Sequence, residues 1–362
     1  MKKYIISGGG TGGHIFPAVS IANALKQLEP DCEILFVGAL GRMEMERVPQ
    51  AGYKIVGLPI RGFDRKHLWK NISVLWDLQK SLRMARKILK DFKPDMAIGV
   101  GGYASGAALK AANRLGIPTL LQEQNSFAGV TNKLLAKDAE KICVAYKGME
   151  RFFPADKIVL TGNPVRQSLM NTPPKSEEAY QHFGFSPEKK TLLVVGGSLG
   201  ARTLNQSMIQ ALERLQKEDI QIIWQTGKFY IEQSEQAAAQ LPNKQMLVTA
   251  FVDRMDYAYS VADLVVSRAG ASSISELCLL GKASVLVPSP NVSEDHQTHN
   301  AMALVNEQAA VLVRDADAKE ELLAKALEIL NDDVQLAQLA QNSLQLAQFD
   351  SDKRIAEIVM SC

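Results

Sequence analysis

Two glycine-rich loops, each following an apolar run, have the composition of phosphate-binding loops. The first is Gly8-Gly9-Gly10-Thr11-Gly12-Gly13-His14, and the second is Gly196-Gly197-Ser198-Leu199-Gly200. Where such a loop opens a helix, the free backbone N–H groups of the first turn attract anions, and the Ser198 hydroxyl adds a donor. A diphosphate is the natural ligand of the second loop. In the first loop, five glycines exceed what a tight turn requires, which favours a bulky ligand against bare backbone. A turn that only packs helix on strand is the alternative.

A dinucleotide site is one interpretation of the first loop, because Gly8, Gly10 and Gly13 fit the spacing GxGxxG. That mode of binding needs an acidic residue at the end of the second strand to hold the ribose. Here the expected strand ends without one, and the first carboxylate after it is Glu44. The GxxxxGK[ST] pattern of nucleoside triphosphatases is absent as well. The sequence therefore favours a different phosphorylated ligand.

Glu276 lies in a third strand–loop–helix segment, Ser267-Arg268-Ala269-Gly270-Ala271-Ser272-Ser273-Ile274-Ser275-Glu276. Small residues allow a ligand to approach closely, and a carboxylate at this place could accept two hydrogen bonds from a ribose diol. The alternative is an ordinary glutamate that is favoured near a helix N-terminus by the helix dipole.

Two histidines and two acids lie close together in Glu294-Asp295-His296-Gln297-Thr298-His299-Asn300. His296 and His299 share a helix face, so a metal site is one interpretation. Closed metal sites usually take ligands from more than one segment, and no second cluster is evident. We therefore expect no metal and no cofactor. Gln297 and Asn300 share the same spacing, and their amides could bind sugar hydroxyls.

His14 is the candidate general base. Its side chain titrates near neutral pH, and it ends a glycine loop at the carboxyl end of a strand. The alternative is a histidine that only hydrogen-bonds or caps the following helix. Glu123 is the second candidate for the base.

Short apolar runs alternate with helical stretches along the chain, which is typical of parallel sheets covered by helices. We expect an α/β protein of two Rossmann-like, doubly wound domains that face each other across a cleft. The predicted domains are residues 1–162, residues 163–345, and a last segment, residues 346–362, that packs back on the first domain. The expected strands are residues 4–7, 33–37, 96–100, 119–122, 142–145 and 158–161, then 191–195, 220–225, 246–249, 264–267, 284–287 and 311–313.

Composition limits the function. The 362 residues carry a formal net charge of only +2, which argues against general nucleic-acid binding. The four cysteines are widely separated, so we expect a reducing cytosol and no structural zinc. No apolar run approaches the ~20 residues of a membrane span, so any membrane contact is expected to be peripheral.

Residues 61–93 concentrate positive charge, with ten Lys or Arg against three Asp. Within this segment an apolar stripe has helical spacing, and two lysines flank it. Such a face suits an anionic membrane surface. A core-facing helix with a solvated basic back is the alternative. The predicted membrane residues are Leu68, Trp69, Ile72, Leu75 and Trp76, with Lys66 and Lys70.

As an ordered set, these motifs resemble the MurG family of undecaprenyl-diphospho-muramoylpentapeptide β-N-acetylglucosaminyltransferases, in glycosyltransferase family 28. The similarity runs from Ser7 to about Asn300. Besides the segments above, it rests on Gly101-Gly102-Tyr103-Ala104-Ser105-Gly106, Glu123-Gln124-Asn125 and Gly162-Asn163-Pro164-Val165-Arg166. The resemblance implies the GT-B architecture. It also implies inverting transfer of N-acetylglucosamine from UDP-GlcNAc to the 4-hydroxyl of a lipid-linked muramoyl-pentapeptide, on the cytoplasmic face of the cell membrane.

The resemblance assigns residues to the UDP-GlcNAc site. It implies that Arg166 and Ser198 hold the diphosphate, that the Val252 backbone meets the uracil, and that Glu276 binds the ribose. The remaining implied contacts, to the sugar and nucleoside, are Thr11, Gly12, Gly13, Asn125, Gln297, Ala271, Ser272, Ser273, Ile274 and Ser275.

The chain departs from the family pattern at two positions. Gln122 stands where the family usually has a histidine before Glu-Gln-Asn, so that histidine is not the base here. Leu199 stands where many members have glutamine. The alternative functions are a related GT-B transferase or epimerase with another UDP-sugar, and a non-catalytic membrane-recruiting subunit that binds UDP-sugar.

Overall fold

The computed structural model describes residues 1–10, 12–62, 71–165, 167–197, 199–241 and 245–362. The chain divides into two compact units. The N-terminal unit is Met1–Val165 with Gln348–Cys362, and the C-terminal unit is Arg166–Ala347. In the described part of the chain, every helix is too short or too polar to span a lipid bilayer.

A seven-stranded parallel sheet, ordered β3-β2-β1-β4-β5-β6-β7, forms the centre of the N-terminal unit. Its strands are β1 Lys3–Ser7, β2 Glu33–Ala39, β3 Lys54–Leu58, β4 Met96–Gly99, β5 Thr119–Glu123, β6 Lys141–Val144 and β7 Ile158–Leu160. Its helices are α1 Gly12–Leu28, α2 Glu44–Gln50, α3 Asn71–Phe92, α4 Tyr103–Arg114 and α5 Val130–Leu135, and α15 Ser351–Ser361 joins them from the end of the chain.

Both faces of this sheet are buried, which explains why its central strands are continuously apolar. Tyr4 and Ile6 of β1 point into one core with α1 and α15. Ile5 points into the opposite core with α3, α4 and α5. Helix α15 contributes Ile355 and Ala356, both fully buried, to the α1 side.

Strand β1 pairs with β2 on one side and with β4 on the other. The chain leaves β1 toward α1, on one face, and leaves β4 toward α4, on the other face. At such a switch point the loops at the carboxyl ends of the strands diverge and open a crevice for a ligand. The first glycine loop and the Gly101-Gly102 loop both start there.

The C-terminal unit repeats the plan with a six-stranded parallel sheet, ordered β10-β9-β8-β11-β12-β13. Its strands are β8 Lys190–Val195, β9 Ile220–Gln225, β10 Met246–Thr249, β11 Leu264–Ser267, β12 Ala283–Leu286 and β13 Val311–Leu312. Its helices are α6 Glu177–Phe183, α7 Arg202–Gln210, α8 Leu212–Leu215, α9 Ile231–Ala238, α10 Met255–Val261, α11 Ala271–Leu279, α12 His296–Val305, α13 Ala318–Asn331 and α14 Asp333–Gln345.

The predicted class, two Rossmann-like α/β domains, is confirmed. Each of the twelve expected strands forms, with ends shifted by two residues at most. Strand β3 was not predicted. It lies at the edge of the sheet, and Gly57 interrupts its short apolar run. Glycine fits this position because the Leu40 side chain packs over it, and a Cβ on residue 57 would lie 2.4 Å from Leu40 Cδ2.

Candidate functional site

His14 lies in the first turn of α1, and its ring is held by the two glycine loops of the N-terminal unit. Its Nδ1 lies 3.0 Å from the carbonyl oxygen of Gly9. Because a carbonyl can only accept a hydrogen bond, Nδ1 carries the proton, and the neutral ring presents Nε2 as an acceptor. The ring packs against Gly101, where a Cβ would come within 2.9 Å of Nε2. This is the tautomer that a general base acting through Nε2 requires.

Glu44, at the start of α2, is a buried carboxylate in contact with the first glycine loop. Its Oε2 accepts the N–H of Gly10 at 2.9 Å, and its Oε1 accepts the N–H of Ala39 at 3.0 Å. The side chain is fully buried. From the sequence, Glu44 is only the first carboxylate after the second strand. Its position at the start of a helix just after β2, the neighbour of β1, was the available signal for a role at this loop.

Packing within the N-terminal unit requires glycine at two positions of the first loop, and the ligand contact expected at Gly12 and Gly13 stays a prediction. A Cβ at Gly8 would lie 2.7 Å from the side chain of Val100, and one at Gly9 would lie 2.1 Å from Oε1 of Glu44. Gly10 has φ of +88° and open space around it. Two of the glycines are therefore explained by internal packing, and Gly10 by backbone conformation.

Glu123, the second candidate for the base, is buried and holds the loop that follows β5. Its Oε1 accepts the backbone N–H of Asn125 at 3.1 Å, and its Oε2 accepts Asn132 Nδ2 at 2.8 Å and the N–H of Gly129 at 3.0 Å. Both carboxylate oxygens are therefore engaged by donors of the segment from Asn125 to Asn132, and Glu123 shapes the loop that carries the half-buried Asn125. The role of Glu123 as the second candidate for the base stays a prediction.

Gln122, which replaces the histidine usual in the family, belongs to a buried amide network. Its Nε2 donates to Oδ1 of Asn163 at 3.0 Å, and Asn163 Nδ2 donates to the carbonyl of Gln124 at 3.0 Å. The network ties the end of β5 to the segment after β7. Gln122 therefore has a packing role at this position.

In the C-terminal unit, the second glycine loop runs from β8 into α7 and packs tightly on the loop after β9. Gly200 has φ of +93°, and a Cβ there would lie 2.5 Å from the carbonyl oxygen of Thr226. A Cβ at Gly227 would lie 2.1 Å from the nitrogen of Gly200. These contacts place the N-terminus of α7 at the carboxyl edge of the sheet. Thr11, Arg166 and Ser198 lie outside the described residues.

An open cavity of about 670 Å³ borders this loop, and positive charge predominates in its lining. Arg268 reaches it from the end of β11, where its Nη1 donates to the carbonyls of Val287 at 3.1 Å and Pro288 at 3.2 Å and pairs with Asp315. The charged residues of the lining are Arg202, Arg268, Lys319 and Asp315. Three cations and one acid beside the N-terminus of α7 suit a ligand with negative charge and hydroxyl groups. The lining residues are Gly196, Gly200, Ala201, Arg202, Thr203, Gln206, Tyr230, Arg268, Ser289, Asn291, Gln297, Asp315, Ala316 and Lys319.

Glu276 lies on α11, with 6% of its surface exposed, and its Oε2 accepts the hydroxyl proton of Tyr259 at 3.0 Å. The preceding turn presents small side chains, because Ala271, Ser272 and Ser273 are all partly exposed. Ser275 donates to the carbonyl of Ala271 at 3.0 Å. Ile274 and Val252 have buried side chains, so a ligand could meet these two residues only through the backbone.

Of the predicted sugar-binding pair, Gln297 lines the cavity and Asn300 does not. Gln297 is half-buried, and its Oε1 accepts the N–H of Ser289 at 2.9 Å, which leaves its amide nitrogen as the group to offer a ligand. Asn300 is fully buried and donates to the carbonyl of Ala269 at 3.4 Å. The direct sugar contact predicted for Asn300 is therefore corrected to support of the Arg268 loop. Within the described ranges, no group of three or more His, Cys, Asp or Glu is placed to hold a metal ion.

The predicted membrane stripe is described in part. On α3, Leu75 and Trp76 are exposed, at 52% and 73%, whereas Val74 faces the core. The core-facing alternative is therefore excluded for Leu75 and Trp76. Lys66, Leu68, Trp69 and Lys70 lie outside the described residues, as does the side chain of Ile72.

Two family models match the chain. The glycosyltransferase family 28 N-terminal domain matches residues 4–144, and the family 28 C-terminal domain matches residues 191–357.

Curated relatives match over nearly their full length. The chain is 61% identical to a protein of Parabacteroides distasonis over 362 aligned positions, with coverage of 99% of this chain and 98% of the relative. It is 62% identical to a protein of Phocaeicola vulgatus over 358 residues, 99% and 95% of the two chains. Both are named UDP-N-acetylglucosamine–N-acetylmuramyl-(pentapeptide) pyrophosphoryl-undecaprenol N-acetylglucosamine transferase.

Solved structures with a similar fold include the following two. The crystal structure of Acinetobacter baumannii MurG is 30% identical, with a TM-score of 0.83 and complete coverage of both chains. The structure of a Listeria monocytogenes protein named as a putative UDP-N-acetylglucosamine 2-epimerase has a TM-score of 0.71 at 14% identity, with coverage of 100% of this chain and 96% of that chain, and the likeness shows the fold alone.

Proposed function

The chain belongs to glycosyltransferase family 28 and, within it, to the MurG family, and from that premise we propose the reaction. In this proposal the chain transfers N-acetylglucosamine from UDP-GlcNAc to the 4-hydroxyl of undecaprenyl-diphospho-N-acetylmuramoyl-pentapeptide, with inversion, in peptidoglycan synthesis. The observation that carries the proposal is that the chain is 61% identical to a relative named for this transfer, in an alignment that covers 98% of the relative. Inversion follows from in-line attack by the acceptor oxygen on the anomeric carbon.

The donor belongs in the C-terminal unit. The cavity beside the second glycine loop offers the N-terminus of α7 and the guanidinium of Arg268 to a diphosphate, and Gln297 to the sugar. Glu276, whose carboxylate is held by Tyr259, is proposed to accept hydrogen bonds from a ribose. As UDP departs, these fixed donors stabilise the charge that develops on the leaving phosphate. Arg166 and Ser198 are proposed to add to them.

Proton removal belongs to the N-terminal unit. The acceptor hydroxyl must lose its proton as its oxygen attacks, and Nε2 of His14 is the proposed acceptor. With its proton on Nδ1 and donated to Gly9, the ring has its lone pair on Nε2, the atom proposed to take the proton. The small residues Gly12 and Gly13 and the amide of Asn125 are proposed to contact the sugars.

The enzyme is proposed to act on the cytoplasmic face of the cell membrane, as a peripheral protein. Its acceptor is a polyprenyl lipid, so the reaction takes place at a bilayer. Leu75 and Trp76 present an apolar surface on α3, and Lys80 and Arg83 are exposed one to two turns further along the helix. A tryptophan beside basic residues suits the headgroup region of an anionic membrane.

Incubation of the purified chain with labelled UDP-GlcNAc and the muramoyl-pentapeptide lipid tests the proposal. We expect label to move into the lipid fraction only when the acceptor is present. Conversion of UDP-GlcNAc into its 2-epimer without acceptor would favour the epimerase alternative. Donor binding without either reaction would favour the non-catalytic subunit.

A further inference from the structure

A single peptide group, the one between Gly9 and Gly10, connects His14 to Glu44. Its carbonyl accepts the proton on Nδ1 of His14 at 3.0 Å, and its N–H donates to Oε2 of Glu44 at 2.9 Å. Both bonds belong to one planar, resonance-delocalised amide, so charge at one end polarises the other. Carboxylate, peptide and imidazole form a continuous chain of hydrogen bonds.

The protein makes specific room for this carboxylate. Besides the clash already described at Gly9, a Cβ at Gly38 would lie 2.6 Å from Cγ of Glu44. A buried carboxylate is costly unless donors satisfy it, and the N–H groups of Gly10 and Ala39 do so. One of those two donors leads directly to His14.

We propose that Glu44 is a positioning residue for His14, acting through the Gly9–Gly10 peptide. The buried negative charge strengthens the Gly9 carbonyl as an acceptor, which holds the tautomer with the proton on Nδ1. It also stabilises the imidazolium that forms when Nε2 takes the proton of the acceptor hydroxyl. The arrangement corresponds to the carboxylate–histidine pair of hydrolases with a peptide inserted between the two side chains. This inference rests on the proposed role of His14 as the base.

The proton balance of the step is simple. The 4-hydroxyl proton passes to Nε2 as the new bond from its oxygen to the anomeric carbon forms and the bond from that carbon to UDP breaks. The proton on Nδ1 stays on the ring, and Glu44 neither gains nor loses a proton in the step. Glu44 therefore acts on the substrate only through His14.

The tautomer of His14 in the unaltered protein is the first test. The chain has five histidines, so the ¹⁵N imidazole signals can be assigned by comparison with His14→Ala. We expect the neutral ring of His14 to carry its proton on Nδ1 and no proton on Nε2. In Glu44→Gln the population protonated on Nε2 should rise, and in the matched variant Glu46→Gln, an exposed residue of the same helix, it should not. A wild-type ring protonated on Nε2 would overturn the proposal without any variant.

Kinetics give the second test. Glu44→Gln should lower kcat by about ten- to a hundred-fold, the effect of losing a hydrogen bond to a charged group. KM for UDP-GlcNAc should change little, because the proposed contacts to the diphosphate and the nucleoside belong to the other unit and Glu44 acts only through His14. In a His14→Ala background, Glu44→Gln should have almost no further effect, since both changes remove the same function.

The outcomes separate this inference from the proposed function. An equal loss in both backgrounds would overturn the positioning role of Glu44 and leave His14 as the base. A His14→Ala enzyme with a normal rate would contradict the base assignment itself. If Glu44→Gln does not fold, the wild-type tautomer decides the question.

Discussion

The hydroxyl of Tyr259 donates to Oε2 of Glu276 at 3.0 Å, and both side chains are more than nine-tenths buried. The bond joins α10 to α11 and fixes the orientation of the carboxylate. Glu276 is the sixth residue of α11, beyond the first turn in which the helix dipole favours an acid, so the purely dipolar alternative does not account for it.

Glu276→Ala should weaken UDP-GlcNAc binding by about ten- to a hundred-fold, because a hydrogen bond to a charged group is lost. Calorimetry with UDP-GlcNAc measures the effect, with circular dichroism to confirm folding. Tyr259→Phe is the matched control for the orienting bond and should show a smaller loss. Unchanged affinity in Glu276→Ala would remove this residue from the site.

His14→Ala should reduce kcat by roughly 10²–10⁴-fold, the contribution of a general base, while donor affinity stays near that of the wild type. The expectation follows from the Nδ1 bond to Gly9, which leaves Nε2 for the acceptor proton. Steady-state rates at saturating donor, together with calorimetry, separate the two effects. A variant with near-normal turnover would require a different base.

Much of the fold follows from the sequence because parallel strands buried on both faces are continuously apolar and end at glycine loops. Strand β3 was not predicted because it is a short edge strand whose apolar run Gly57 interrupts. His14 lies in the first turn of the helix that follows β1, at the carboxyl end of a strand as the motif predicts.

Side-chain direction and the partners of buried groups could not be predicted from spacing. Gln297 and Asn300 have neighbouring positions on α12, yet one lines the cavity and the other is buried. Glu123 accepts a hydrogen bond from the backbone of Gly129, and the glycine at position 9 leaves space for the carboxylate of Glu44. Both contacts join chain segments that only folding brings together.

Trp76→Glu should reduce binding to anionic vesicles, because it places a negative charge on an exposed apolar surface beside basic residues. Val334→Glu, which alters an exposed residue of the C-terminal unit, is the control and should bind as the wild type does. Wild-type binding should also weaken as ionic strength rises. Equal sedimentation of Trp76→Glu and wild type at every salt concentration would place the membrane surface elsewhere.

Lys282 gives a pH-dependent contribution to stability. Burial lowers the pKa of its amine from the usual 10.5 to about 8, with repulsion from Lys175 in the same direction. Between these values the unfolded chain binds more protons than the folded chain, so the free energy of unfolding rises with pH. The wild type should therefore gain stability relative to Lys282→Met from about pH 8 to about pH 10.5. Thermal midpoints of both proteins across this range check it, and a constant difference would contradict it.

The most direct test of the transfer reaction is the anomeric configuration and linkage of its product. The purified chain, supplied with UDP-GlcNAc and the muramoyl-pentapeptide lipid, should yield a disaccharide whose N-acetylglucosamine is joined in β configuration to the 4-oxygen. NMR of the released disaccharide reports both features at once. An α linkage, attachment at another oxygen, or no disaccharide from a folded, donor-binding protein would contradict inverting transfer to the 4-hydroxyl.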